Sequence, residues 1–395
     1  MASNAADDTP QPRSATMTAF SRALVGFVLL VPSLHADERK SFPAAKYAGG
    51  ELKYIDHVPV LILKGKPAEM GEQFGVLAIR NAPDLPALQQ QFLKDSGQES
   101  RYPLILMMAK ALKSNFPPNH RIEIEAAASS ADRDENRLLF ANTVADLSSG
   151  LGCSTIIVEK ARSATGAPLF GRNFDWLPSK GITEHTLIVV YKGEGKHAFA
   201  AITVTPITGV VSGMNDAGLS LTINEVALRK SRDKASFNWQ GTPLLLAFRR
   251  VLEECQTVAE AESLLRKMPR TTSCCLTVCD RDGGVVFEIT PKNLEVRAAV
   301  NDICCCTNHF RTDKLCVETT CWRYDKLATL CKKTREKMGV KDVFAQLDLV
   351  HQGKATLQSM VFEPKARILH LAYGEGPATR RDAHRIDLGA IFEAK

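Results

Sequence analysis

The chain has 395 residues, 45% of them hydrophobic, and a formal net charge of +6. That length allows two domains, or one large layered domain with an accessory segment, and the apolar content is enough for a core that needs neither a metal nor a disulfide staple. The charge bias is mild, and its densest run, Cys331–Lys337, has no aromatic interleaving and no RNA motif, so nucleic acid is not an expected partner.

Residues 1–16 are polar and patternless. Met17 opens a second start-like segment, in which Arg22 precedes the apolar run Ala23–Leu34 and the small residue Ala36. A basic residue, a short apolar core and a small residue predict a secretory signal. The run is shorter than the ~20 apolar residues of a spanning helix. Residues 1–36 are therefore read as leader and signal peptide, with Met17 as the start, export to the periplasm or beyond, and no stable membrane span.

Residues 37–152 read as a mainly helical segment. It opens on short strands, including Val58–Lys64, whose residues are mostly apolar and β-rich. Pro67 then starts a helix with Met70, Phe74 and Leu77 on one face, and Gly71 and Gly75 predict close packing against a neighbour. Residues 101–149 look helical, with a break at Pro117-Pro118.

The texture changes at Gly150, and residues 153–395 are read as the catalytic segment. Short strands separated by tight turns run from Ser154 to Val226, and a second β block runs from Cys274 to Cys306. Between them lie two helices, the first opened by Thr242-Pro243 and the second by the capping box Thr257-Val-Ala-Glu260. Further helices at Arg323–Lys337 and Lys341–His351 precede two last strands. Short turns imply antiparallel pairing, so the predicted fold is α+β, with two stacked antiparallel sheets flanked by helices.

Eleven cysteines are present, an odd count. There is no C-x-x-C pair and no H-E-x-x-H, so neither a metal site nor a cofactor is expected. Most of these cysteines suit small buried positions, and at least one thiol stays free for chemistry.

Cys153 stands where the helical region meets the first strand, directly after Gly152. Glycine permits the strained backbone that lets a side chain attack its own preceding carbonyl. Hydrolysis of the resulting thioester frees Cys153 as an N-terminus, whose α-amine, near pKa 7.7–8.0 when unperturbed, can act as base for its own thiol. In Gly171-Arg-Asn-Phe-Asp-Trp176, Arg172 and Asp175 could both reach a site at the strand end. Asn224 and Asn308 close apolar strands, where buried amides suit oxyanion-hole donors or carbonyl ligands.

This ordered set, with Asn215-x-x-Gly218-Leu219, Thr307-Asn308 and Trp322-Arg323, resembles the N-terminal-nucleophile amide hydrolases. That superfamily includes choloylglycine hydrolases, penicillin V acylases, acid ceramidase and the isopenicillin N acyltransferase-like branch. The last is the nearest in pattern, through Met70-Gly-Glu-Gln-Phe-Gly75, Thr356-Leu-Gln-Ser-Met-Val-Phe-Glu-Pro364 and Gly374-Glu-Gly-Pro-Ala378. The resemblance spans about Glu51 to Leu388. It implies a four-layer αββα sandwich, Cys153 as nucleophile, and cleavage between Gly152 and Cys153. It places Arg172 and Asp175 at the nucleophile or substrate, Asn224 and Asn308 at the oxyanion hole, and Arg323 near the active site.

The expected reaction is hydrolysis of a linear, non-peptide N-acyl amide in a small molecule, through a thioester on Cys153. The same site could instead pass the acyl group to an amine. Two other readings are a conventional Cys–His thiol hydrolase using His309, His185 or His197, and an exported binding protein without catalysis.

Overall fold

The computed structural model describes residues 42–82, 84–148, 152–179, 181–317, 320–332 and 336–394. The expected leader and signal peptide, residues 1–36, lies outside the described residues.

Two sheets form the centre of the molecule. From edge to edge the larger runs Ala45–Tyr47, Gly50–Ile55, Val58–Gly65, Thr186–Gly193, Phe199–Val204, Ser212–Asn215, Ser220–Glu225, Cys274–Cys279, Gly284–Ile289 and Leu294–Arg297. The smaller runs Ile303–Cys306, Gly152–Val158, Leu169–Asp175, Thr356–Glu363, Ile368–Tyr373 and His384–Asp387. Side chains alternate between faces along each strand, and the buried residues sort accordingly. Val60, Ile188, Ile202, Ile157, Phe170 and Met360 fill the space between the sheets. Leu61, Val189 and Ala201 face a layer of helices that includes Leu138, Leu245 and Phe248. On the far side, Ile156, Val158 and Val361 pack on Leu327, Val343 and Leu347 of two further helices. The order of layers is helix, sheet, sheet, helix, as the resemblance implied.

One pairing departs from the antiparallel expectation. Val58–Gly65 lies parallel to Thr186–Gly193, with Val60 opposite Ile188. Parallel neighbours need a crossover connection, and here the helices of residues 67–147 and the Gly152–Asp175 hairpin supply it. The strands before Cys153 are thus built into the same sheet as those after it. The helices are joined too. Arg249, on the helix Leu244–Glu254, bonds Glu123 Oε2 on the helix Pro118–Ala131 at 2.6 Å, with both side chains buried.

The predicted close packing of Gly71 and Gly75 is present: a Cβ on either would collide with the backbone carbonyls of Glu123 and Ala127 on that helix. The start of Leu244–Glu254 differs from expectation. Pro243 is its N-cap, and the Leu244 N–H is met by Asp146 Oδ1 at 3.0 Å.

Candidate active site

Cys153 lies at the start of Gly152–Val158, fully buried. In the strand pairing it stands opposite Phe174, and Thr155 stands opposite Arg172. These four side chains share the face toward the larger sheet, where Thr155 Oγ1 meets Thr277 Oγ1 at 2.9 Å. Arg172, also fully buried, crosses between the sheets. Its Nη1 donates to the Ile223 carbonyl at 2.7 Å and its Nη2 to Cys153 Sγ at 3.2 Å. Arg172 is the one side chain that grips the sulfur and the opposing sheet together.

The backbone of Cys153 is held as firmly. Its N–H donates to Asn308 Oδ1 at 2.9 Å, and its carbonyl accepts Arg323 Nη1 at 2.7 Å. Arg323 Nη2 donates to the same Asn308 oxygen at 2.9 Å, while Asn308 Nδ2 donates to the Glu225 carbonyl at 2.9 Å. Two donors converging on one atom fix the Asn308 amide with its oxygen toward Cys153.

Asp175 points to the opposite face of its strand. Thr356 Oγ1 and Gln352 Nε2 donate to its two oxygens at 2.5 and 2.9 Å, and Arg323 Nη1 lies 3.5 Å away. Asp175 therefore acts on the site through Arg323 and through its own backbone, whose N–H points at the Cys153 thiol. Between Ile223 and Glu225, whose carbonyls anchor Arg172 and Asn308, sits Asn224. Its side-chain oxygen and nitrogen are both buried and have no hydrogen-bond partner among the described residues. Buried polar groups are almost always paired, so an amide left open beside a nucleophile is available to a ligand.

The electrostatics suit a resting precursor. Burial pushes the Cys153 thiol up to about 11, against the pull of Arg172. Burial likewise raises the Asp175 carboxyl, and the hydrogen bonds from Thr356 and Gln352 oppose it. In the uncut chain the thiol is neutral at physiological pH.

Arg172, Asp175, Asn224, Asn308 and Arg323 thus all gather around Gly152-Cys153. The histidines do not join them. His197 Nδ1 is 2.6 Å from Asp216 Oδ1, and His185 packs edge-on against Phe42. His309 hydrogen-bonds with Cys321, whose thiol is also 3.5 Å from Thr307 Oγ1. Burial works to raise the Cys321 thiol, but hydrogen bonding with His309, the Tyr324 backbone and Thr307 outweighs it and brings the pKa down to about 6. Gln352 and the carbonyls of Ile223 and Glu225 were not foreseen. A backbone carbonyl has no signature in sequence, and Gln352 lies in a turn far along the chain.

Residues 162–377, more than half of the chain, match the family described as acyl-coenzyme A:6-aminopenicillanic acid acyl-transferase. The chain belongs to this family. The match takes in Arg172, Asp175, Asn224, Asn308 and Arg323 and begins just after Cys153. It agrees with the acyltransferase-like branch that the sequence resembles. An uncharacterized protein of Archaeoglobus fulgidus is 22% identical over 365 residues, which cover 76% of this chain and 58% of that protein. The chain thus spans less than two thirds of that relative's length. Among solved structures, a Caenorhabditis elegans N-acylethanolamine-hydrolyzing acid amidase ortholog is 19% identical, covering 54% of this chain and 93% of its own, at TM-score 0.40. The C2A mutant of conjugated bile acid hydrolase from Clostridium perfringens is 15% identical, covering 60% and 93%, at 0.44. Penicillin V acylase from Agrobacterium tumefaciens is 13% identical, covering 60% and 86%, at 0.41.

Proposed function

We propose that the chain is a cysteine amidohydrolase that activates itself by cutting between Gly152 and Cys153, then cleaves a linear N-acyl amide. The observation that carries this reading is the treatment of Cys153. Its sulfur, amide nitrogen and carbonyl are each held by a different polar side chain, Arg172, Asn308 and Arg323. A merely structural cysteine needs none of these.

In the activating step the Cys153 sulfur adds to the Gly152 carbonyl carbon, and the thiol proton passes to the departing Cys153 nitrogen as the C–N bond breaks. Water then hydrolyses the thioester and leaves a Gly152 carboxylate, a free thiol and a free amine. The amine still has N–H to give Asn308 Oδ1, and its lone pair can take the proton of its own thiol. In turnover the thiolate attacks the substrate carbonyl, and the oxyanion is met by Asn224 Nδ2, the open donor on the facing sheet. The amine of the substrate leaves with a proton, and water releases the acid. If an amine replaces water in that last step, the product is a new amide, and the enzyme acts as an acyltransferase.

Export follows as part of this reading, on the sequence pattern of residues 17–36. The test is intact mass and N-terminal sequencing of the purified protein, with turnover of an N-acyl amide series. Two chains are expected, the larger beginning at Cys153, and Cys153→Ala stays whole and inactive. An uncut wild type with full activity sinks the mechanism.

A further inference from the structure

The strand that carries Phe174 leads out of the site to Trp176. Phe174 is the cross-strand partner of Cys153, and its ring centroid lies 5.7 Å from that of Trp176. Two residues advance a strand by about 6.6 Å, so Trp176 stands one side chain beyond the sulfur. It forms one wall of an open cleft of about 530 Å³, within the size of small-molecule pockets. Phe92, Phe140, Val144, Ile182 and Ile207 form much of the rest. Phe92 comes from the helix Leu85–Asp95, and Phe140 and Val144 from the helix Glu135–Leu147. The segment before the proposed cut thus builds much of a pocket that opens beside the nucleophile.

One charge interrupts this apolar lining. Arg137 lines the cleft, half-buried, and forms no ion pair with any described carboxylate. Its Nη1 donates to Gln89 Oε1 at 2.8 Å, and Gln89 Nε2 donates to Tyr102 Oη at 2.9 Å. Both partners are neutral, so they hold the guanidinium in place without cancelling its charge. An uncompensated guanidinium in an apolar cleft suits a carboxylate, which it can engage with two parallel hydrogen bonds.

We propose that this cleft takes the acyl half of the substrate, and that Arg137 binds a carboxylate at the far end of an apolar acyl chain. The assignment rests on the reading of Cys153 as the residue that attacks an N-acyl amide. It narrows the substrate class to amides of dicarboxylic acids, with the amide at one end and the free acid at the other.

The experiment compares two medium-chain series. One holds N-ethyl monoamides of straight-chain dicarboxylic acids, the other the N-ethyl amides of matching monocarboxylic acids. Binding is read on the Cys153→Ala chain by tryptophan fluorescence, since Trp176 lines the cleft. The acid-tipped amide of best length should bind about tenfold or more tightly than its neutral counterpart, as a charge-assisted hydrogen bond in an apolar setting allows. Adding Arg137→Leu should bring the two series level, and Arg137→Lys should keep part of the difference. Equal binding of both series by the Arg137 protein overturns the assignment, whatever the turnover. A clear preference in binding, with no turnover by the cut wild type, supports the cleft assignment and removes the hydrolase reading instead.

Discussion

The amide nitrogen of Cys153 donates to Asn308 Oδ1 at 2.9 Å, and Arg323 donates to the same oxygen at the same distance. One side-chain carbonyl thereby ties the nitrogen of the nucleophile to a cation that also grips the carbonyl of Cys153. Asn308→Ala removes the shared acceptor and lets both groups drift. A misplacement of about 1 Å at a reacting centre can cost on the order of a hundredfold. Self-cleavage, followed by mass, and turnover of any cut enzyme should both fall by about that factor. A change within about twofold in both would remove Asn308 from the mechanism.

Gly152 is constrained by a contact as well as by chemistry. A Cβ at this position would collide with Gln352 Nε2, the atom that donates to Asp175 Oδ2 at 2.9 Å. Gly152→Ala should therefore displace Gln352, loosen Asp175 and slow cleavage while the fold persists. The double variant Gly152→Ala with Gln352→Ala has room for the methyl group. If the collision is the cause, the second change should not add to the first, and the two should couple as neighbours do. Fully additive slowing, timed on gels, would mean that the glycine is needed for backbone freedom instead.

Much of this site can be read from the sequence, and the residues that cannot be read share a reason. Cys153, Arg172 and Asn224 sit on strands whose alternation predicts which face each side chain meets. The sequence also shows the two β blocks and the helices between them. It does not show that Val58–Gly65 pairs in parallel with Thr186–Gly193, because pairing across a long crossover leaves no local trace. The partners of Asp175 are similar. Thr356 belongs to a motif that resemblance picks out, and its contact with Asp175 at 2.5 Å gives that motif a physical role. Gln352 has no such pattern. Ser359 Oγ bonds Asn173 Oδ1 at 2.9 Å, so this last long strand braces the Gly171–Trp176 motif at two points.

Asp146 makes stability depend on pH. It lies near the end of the helix Glu135–Leu147, and its Oδ1 accepts from Leu244 N and Thr271 Oγ1. Its Oδ2 is buried without a partner among the described residues. Burial pushes the carboxyl up to about 7 from the ordinary 3.8, against those two hydrogen bonds. The folded chain then holds the proton more tightly than the unfolded one. The stability this contributes is complete below about pH 3.8, declines above it and is gone once the pH passes about 7. Asp146→Asn keeps an acceptor for Leu244 and Thr271 and does not titrate. Its melting temperature relative to wild type should rise steadily between about pH 4 and about pH 8. A constant difference across that range would show that Asp146 is already ionised in the folded protein at low pH.

Asn224 offers the sharpest separation of function from stability. Its amide is fully buried, and neither polar atom has a partner among the described residues. An unsatisfied buried polar group costs about 1–3 kcal/mol. A residue kept for the fold alone would be better as an apolar side chain of similar size, since its cross-strand neighbour Cys275 and the residues between the sheets are largely apolar. Asn224→Leu should therefore leave the melting temperature equal to or above that of wild type. The same change takes away the proposed oxyanion donor, and loss of one such donor costs on the order of a hundred- to a thousandfold in turnover. The measurement belongs on cut enzyme, because a donor facing Cys153 could also serve the activating step. Asn224→Asp is the companion variant. It keeps the shape but replaces the donor with a carboxylate where negative charge develops, so it should be at least as inactive as Asn224→Leu and less stable. If Asn224→Leu melts lower and turns over substrate at the wild-type rate, the amide belongs to the fold and the oxyanion must be met elsewhere.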